Sequence, residues 1–321
     1  MILIKSKSFE LSSNVVYKWI KYLKHDVIRI NRWDFNQNNI LIKKHTNKEI
    51  HIEYNRTSLS SIDRFWYRRE STNYPTFIIP KKITNGHEIN KHIINEIDSI
   101  KEVFYNSLIN KDKNSLSKPW KGNLNKITTI CSAESVGLSI PEFVITNEKI
   151  HLNDFFKRRK QIVVKPISNV VTVKANGESL FPYTKILLND DLKNIPNFFF
   201  PSLFQEYIEK KLEIRTFFMD GQFFSMAMFT QQDSKTTIDF RNYNFKSPIR
   251  TVPFKLPEIV ENKLIALFEL LNLKSGSIDI ILSKKNEYVF LEINPVGQFG
   301  MVSYPCNYYL EKKIANKLIN E

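Results

Sequence analysis

Two stretches near the C-terminus place carboxylates where apolar residues are wanted. Residues 277–282 read SIDIIL and residues 288–294 read YVFLEIN, so Asp279, Glu292 and Asn294 sit inside otherwise apolar, strand-like runs. A buried acid is costly unless a positive charge, a donor or a metal meets it. The linking residues, SKKNE, are polar and predict a hairpin between the two runs. Pairing would bring Asp279 beside Glu292. Strict alternation puts Tyr288, Phe290, Glu292 and Asn294 on one face, and Val289, Leu291 and Ile293 on the other. Two carboxylates and an amide are hard oxygen ligands, which suit Mg²⁺. Alone, an Asp…Glu-x-Asn set reads more readily as a turn or edge acid and a glutamate paired with a surface lysine. The apolar setting brings the metal reading level with that one.

Bulk properties narrow the class of protein. The chain has 321 residues, 42% hydrophobic and 25% charged, enough for two or three domains with cores of their own. Its net charge of +14 raises nucleic acid as a partner. The basic residues are spread along the chain, however, with no basic arm, zinc finger or RNA-recognition motif. Most of the charge reads as solvated surface, and a share of it suits an acidic partner, a peptide as readily as DNA. No apolar run is long enough to span a bilayer, and the start, MILIKSKS, lacks a signal-peptide core. A cytoplasmic protein with no membrane partner is expected. Cys131 and Cys306 are too far apart in sequence to suggest a disulfide framework, and the six histidines form no metal pattern.

Along the chain, MILIKSKS predicts a strand, SSNVVYKWIKYLKH a serine-capped amphipathic helix carrying Val16, Trp19, Ile20 and Leu23, and DVIRIN a second strand. That order predicts an open α/β unit. NNILIKK and KEIHIEYN predict a hairpin, SSIDRFWYRRE a further strand, and residues 87–110 a helix. A polar segment around residue 115 marks a boundary. Beyond it come a helix ended by Gly137, strands at PEFVITN and KQIVVKP, a hairpin turning at Asp220-Gly221, a helix begun near Pro257 and a closing helix at NYYLEKKIANKLIN.

Lys165 ends the strand IVVKP, where a lysine either snorkels or meets phosphate oxygens. FQEYIEKKLEIR begins as a strand and becomes charged, so it can offer main-chain groups to a purine edge and an acid to a ribose. There is no P-loop and no GxGxxG. A phosphate-handling site here would rely on lysines and metal.

Taken in order, NK before a helix, VVKP, QEYIE…EIR, SIDII and LEINPVGQF resemble the ATP-grasp superfamily of carboxylate–amine ligases, from about residue 118 to the end. FWYRRE, IDFRNY and EINPVGQF resemble the branch that makes graspetides, peptides closed by side-chain esters or amides. The tail from EINPVGQFG to the last helix is most similar to the grasp-with-spasm maturases. The resemblance implies an α/β (α+β) chain with the ATP-grasp fold: an N-terminal open α/β pre-ATP-grasp domain (1–115), a central α+β subdomain (116–200) and a C-terminal α+β subdomain with the Mg²⁺ site (201–321). It implies ATP and Mg²⁺ as cofactors. Lys126 and Lys165 would meet the nucleotide phosphates, Gln205, Glu206 and Ile208 the adenine, and Glu213 the ribose. Asp279, Glu292 and Asn294 would hold Mg²⁺. Arg215, Arg241 and Lys165 would be catalytic, and Arg68, Arg69 and Arg241 would hold the peptide. Arg68 and Arg69 read equally well as ion-pair partners between domains. The loop after VVKP, ISNVVTVKANGESL, carries one glycine where the family often has several.

The implied reaction is ATP-dependent activation of Asp or Glu side chains of a ribosomal precursor peptide as acyl-phosphates, closed by Ser or Thr hydroxyls or Lys amines. The implied partners are that peptide and a radical-SAM enzyme with a SPASM domain, with a homodimer left open and no nucleic acid. Two other readings stand beside it: a RimK-like ligase that adds an amino acid to a protein or peptide, and a peptide- or nucleotide-binding module without ligase activity.

Overall fold

The computed structural model describes residues 1–31, 39–70, 86–112, 115–119, 124–168, 173–175, 178–180, 184–232 and 248–320. The first part of the chain contains β1 (Ile2–Lys5), α1 (Leu11–Tyr22), β2 (Val27–Ile30), β3 (Ile40–Lys43), β4 (His51–Tyr54), β5 (Thr57–Ser58), β6 (Arg64–Tyr67) and α2 (Gly86–Lys111). The middle runs through α3 (Lys126–Ser135), β7 (Phe143–Glu148), α4 (Lys149–Arg159), β8 (Ile162–Lys165), β9 (Val173–Ala175), β10 (Glu178–Leu180), β11 (Lys185–Leu187), α5 (Asn189–Asn194) and β12 (Phe198–Glu206). Then follow β13 (Lys210–Met219), β14 (Gln222–Met228), β15 (Thr251–Phe254), α6 (Glu258–Leu270), β16 (Ser275–Ser283), β17 (Tyr288–Asn294), α7 (Gly300–Cys306) and α8 (Leu310–Asn320). No described helix is long and apolar enough to cross a membrane.

The chain divides into two compact units, one of residues 1–122, 298–303 and 309–321, the other of residues 123–297 and 304–308. In the first, β1 lies between β2 and β6, parallel to both, and β3, β4 and β5 form an antiparallel sheet. Leu3, Phe65, Phe104 and Leu108 join one core, and α8 packs on α1. The expected serine cap of α1 is replaced. Glu10 accepts from the Ser13 backbone N–H at 2.6 Å, while the Ser13 hydroxyl is buried against Ser6 at 2.8 Å. A carboxylate at that place suits the positive end of a helix dipole.

The second unit carries an antiparallel sheet of order β11-β8-β12-β7 and another of order β15-β14-β13-β16-β17. The expected turn at Asp220-Gly221 joins β13 to β14, with positive φ at both residues (45° and 83°), which matches the twist of a two-residue hairpin. Helices α3 and α6 pack on the five-stranded sheet through Ile130, Leu264 and Phe268 against Ile214, Ile278 and Phe290. That packing leaves Glu213, Arg215, Asp279 and Glu292, with Ile281 and Leu291, on the other face of β13, β16 and β17.

Candidate functional site

The expected pairing of Asp279 with Glu292 is present. In the β16–β17 ladder the two are direct partners, and in the β13–β16 ladder Asp279 is the partner of Arg215. Three charged residues therefore lie in a row across adjacent strands. The Arg215 Nη1 donates to both Asp279 oxygens at 2.8 Å.

The expected division of β17 into faces breaks at Leu291. Ile280 pairs with Phe290 and Asp279 with Glu292, so Leu291 is an extra residue in a bulge. Phe290 and Ile293 both join the core, whereas Leu291 and Glu292 both line a pocket. Strict alternation would have set Phe290 beside Glu292. The inserted residue resets the phase and turns the carboxylate away from the core. A second irregularity in β13, between Lys210 and Leu212, brings Lys210 onto the Glu213 side, where its ammonium meets the Glu213 Oε1.

The pocket is walled by Lys126, Lys165, Glu206, Tyr207, Ile208, Lys210, Glu213, Arg215, Asp279 and Glu292, with Val163, Ile281 and Leu291 as apolar lining. Lys126 opens α3 behind the Asn125 cap. Its Nζ donates to the Pro166 carbonyl at 3.1 Å and lies 3.5 Å from Glu292 Oε2. Lys165 stands at the end of β8. Residues 207–209 belong to no strand, and the Tyr207 N–H bonds to the Gln161 carbonyl at 3.1 Å. Glu213 is buried and accepts from Thr230 Oγ1 at 3.0 Å on the same oxygen that meets Lys210.

Burial pushes the Asp279 carboxyl up to about 7, with Arg215 opposing the rise and Glu292 adding to it. A divalent cation between the two carboxylates would reverse that balance and hold both ionised. Among the described residues no group of three or more His, Cys, Asp and Glu gathers as a metal site. A pair of carboxylates with room for water or phosphate oxygens fits Mg²⁺, which rarely takes an all-protein cage.

Other expected site residues lie elsewhere. Gln205 is buried on β12 and does not line the pocket, and its Nε2 has no hydrogen-bond partner among the described residues. Asn294 is exposed at the end of β17, and its Oδ1 accepts from the Gly297 N–H at 3.1 Å. It is outside the pocket wall and shapes the NPVGQF turn. Gly297 has φ +53°, and a Cβ there would stand 2.8 Å from the Ser277 hydroxyl. Arg241 lies outside the described residues. Arg68 and Arg69 sit in the first unit with Glu10 as their acid, at 3.4 and 3.8 Å, so the acid found for them is within their own unit. Sequence reasoning missed Lys210 and Tyr207. Lys210 stands in a run of charged residues, and only the bulge distinguishes it.

No protein-family model and no curated protein matches the chain. Solved structures do. A RiPP-associated ATP-grasp ligase from Chryseobacterium gregarium, in complex with ADP and a leader and core peptide, is similar with a TM-score of 0.84 and 24% identity over 99% of this chain and 96% of that one. The macrocyclase MdnC from Microcystis aeruginosa MRC, bound with the precursor peptide MdnA, gives 0.80 and 24% over 100% and 99%. The ATP-grasp ligase PsnB, complexed with a minimal precursor, Mg and ADP, gives 0.73 and 14% over 99% and 97%. The chain has the ATP-grasp fold.

Proposed function

We propose that this protein is an ATP- and Mg²⁺-dependent ligase that closes a ribosomally made peptide through its own Asp or Glu side chains. The observation that carries the reading is the row Arg215–Asp279–Glu292, with Lys126 3.5 Å from Glu292, in one pocket beside residues 206–208. It is supported by likeness over nearly the whole chain to a macrocyclase bound with its precursor peptide and to ligases whose structures hold peptide and ADP.

In this reading Asp279 and Glu292 would hold Mg²⁺, with Asn294 the remaining oxygen candidate. The metal would supply charge neutralisation at the phosphate oxygens. Lys126 and Lys165 place positive charge for those oxygens, acting as point charges. The main chain around Glu206 and Ile208 takes the adenine edge, with Gln205 behind it. Glu213 takes a ribose hydroxyl through Oε2, since both bonds described above use Oε1. Arg215 orients Asp279 and, with Arg241, meets charge that develops at the reacting carboxylate.

A carboxylate is a poor electrophile. Transfer of the γ-phosphoryl group makes an acyl-phosphate, which a Ser, Thr or Lys side chain of the same peptide attacks, expelling phosphate. Arg68, Arg69 and Arg241 belong to the proposal as holders of an acidic peptide, and a radical-SAM enzyme with a SPASM domain as a partner.

The test is ADP release in the presence of Mg²⁺ and an acidic peptide rich in Thr, Ser or Lys, with the mass of the product. Loss of one water per ring is the expected result. Gain of an amino-acid mass would replace it with ligation of a free amino acid, and magnesium-independent binding without ADP release would overturn it.

A further inference from the structure

The first unit holds a second charged cluster, at the carboxyl ends of its parallel strands. Lys5 ends β1, Arg29 stands in β2, and Arg68 and Arg69 follow β6. β1 is central, with its neighbours on opposite sides, and α1 carries the chain to one of them. Ligands of open parallel sheets bind at such a switch point. Lys5 is fully buried and Arg68 is 2% exposed.

Among the described residues, the carboxylates set against these four cations are Glu10 and Glu70. Lys5 meets Glu70 at 2.8 Å. Glu10 serves Arg68 and Arg69 at a distance while its other oxygen caps α1. Arg29 is held by neutral groups, the Asn14 Oδ1 and the Lys7 carbonyl. The Nε groups of Arg29, Arg68 and Arg69 have no hydrogen-bond partner among the described residues. Burial lowers the pKa of Lys5, Arg29 and Arg68, as expected of cations short of counter-charge.

On either side of Glu10 the chain is strained and apolar. Phe9 has φ +59° and is 96% exposed, and Leu11 is 75% exposed. A bulky residue in the left-handed region costs about 1–2 kcal/mol, and in this structure it buries no ring in return. Strain of that kind is retained where it presents a side chain.

We infer that this cluster takes a carboxylate side chain of an acidic peptide, with Phe9 and Leu11 receiving the apolar residue beside it. Buried Arg68, which lies over the Phe299 ring, stands behind, and Arg29 and the part-exposed Arg69 supply the donors. The inference rests on the peptide-ligase reading for what carries the carboxylate, and the chain's +14 charge favours the same partner.

The experiment measures fluorescence anisotropy of a labelled peptide alternating Glu and Leu, without nucleotide, and separately the binding of MgADP by calorimetry. Arg69→Gln is expected to weaken the peptide about tenfold or more, and replacing Glu by Gln in the peptide to do the same. Phe9→Asn, which relieves the φ strain, is expected to raise the melting temperature while weakening the peptide several-fold. A role confined to stability would not move those two in opposite senses. Equal affinity of both variants and wild type, equal affinity for the Gln peptide, or full displacement of the peptide by single-stranded DNA would overturn the inference. Failure to bind MgADP, with peptide affinity still dependent on Arg69, would instead overturn the ligase reading and leave the role of the cluster standing.

Discussion

Two of the charged clusters among the described residues are balanced differently. In the pocket of the second unit, Lys126, Lys165, Lys210 and Arg215 stand with Glu206, Glu213, Asp279 and Glu292. In the cluster of the first unit, Lys5, Arg29, Arg68 and Arg69 stand with Glu10 and Glu70 among the described residues. The balanced cluster holds itself together without ligand: Arg215 is satisfied by Asp279, and Lys210 by Glu213. A ligand must therefore exchange partners there. The unbalanced cluster has fewer acids than cations among the described residues, and that deficit is the ground for the carboxylate proposed to bind there. Removing a charge should thus damage chemistry and stability in the pocket, and affinity for an acid in the first unit's cluster.

The largest expected effect is on turnover. Glu292→Gln should lower peptide-dependent ADP release by roughly 10³-fold, because a neutral amide neither offsets a divalent cation nor pairs with Lys126. An unchanged rate would remove Glu292 from the site. Next comes Arg215→Met, which leaves Asp279 without its counter-charge in a largely buried row and should cost roughly 3 kcal/mol, read as the shift of the urea midpoint. A loss as large from Arg69→Gln would erase the contrast, since that side chain is 28% exposed and 3.8 Å from its acid. Gly297→Ala should cost about 2 kcal/mol in a thermal melt, because it combines an unfavourable φ with a close approach to Ser277.

Glu10 gives a pH signature. Burial raises its pKa, but Arg68, the bonds to Ser13 and Arg69 outweigh that and hold it below the ordinary carboxylate range. The folded value lies under the unfolded one of about 4.3, so the contribution is present above that pH and fades as pH falls through the folded value. Glu10→Gln should narrow the loss of stability on acidification below about pH 4. A melting series equally steep in both proteins would deny the linkage. The smallest effect is Lys126→Gln, which should change stability by less than about 1 kcal/mol, since Lys126 and Glu292 are 24% and 40% exposed. It should nevertheless raise KM for ATP, so a rise in KM without a fall in melting temperature is the result to look for.

The sequence placed the carboxylates of the pocket but misread how β17 presents them. Apolar embedding singled out Asp279 and Glu292, and the hairpin between them followed from SKKNE. Alternation then put Phe290 with Glu292, because a bulge leaves no mark in a run such as YVFLEIN, where the inserted residue is as apolar as its neighbours. Lys210 was invisible for the same reason. The cap of α1 was misassigned to serine: Glu10 takes the capping place, and the Ser13 hydroxyl is turned inward to Ser6, a partner the local sequence does not reveal.

The sequence by itself determined most of the longer elements and their order, though not α4, α5, β15 or α7, and the presence of acids that apolar strands would not otherwise tolerate. These depend on periods of 2 and 3.6 residues and on turn residues such as Asp220-Gly221, which are local properties. Only the tertiary structure decided which charges meet. Arg215 and Asp279 are 64 residues apart and pair across two strands, and Arg68 finds Glu10 58 residues away at the ends of parallel strands. Whether a buried charge is matched or left over is a sum over neighbours from distant parts of the chain, and it takes its value only when the sheets close.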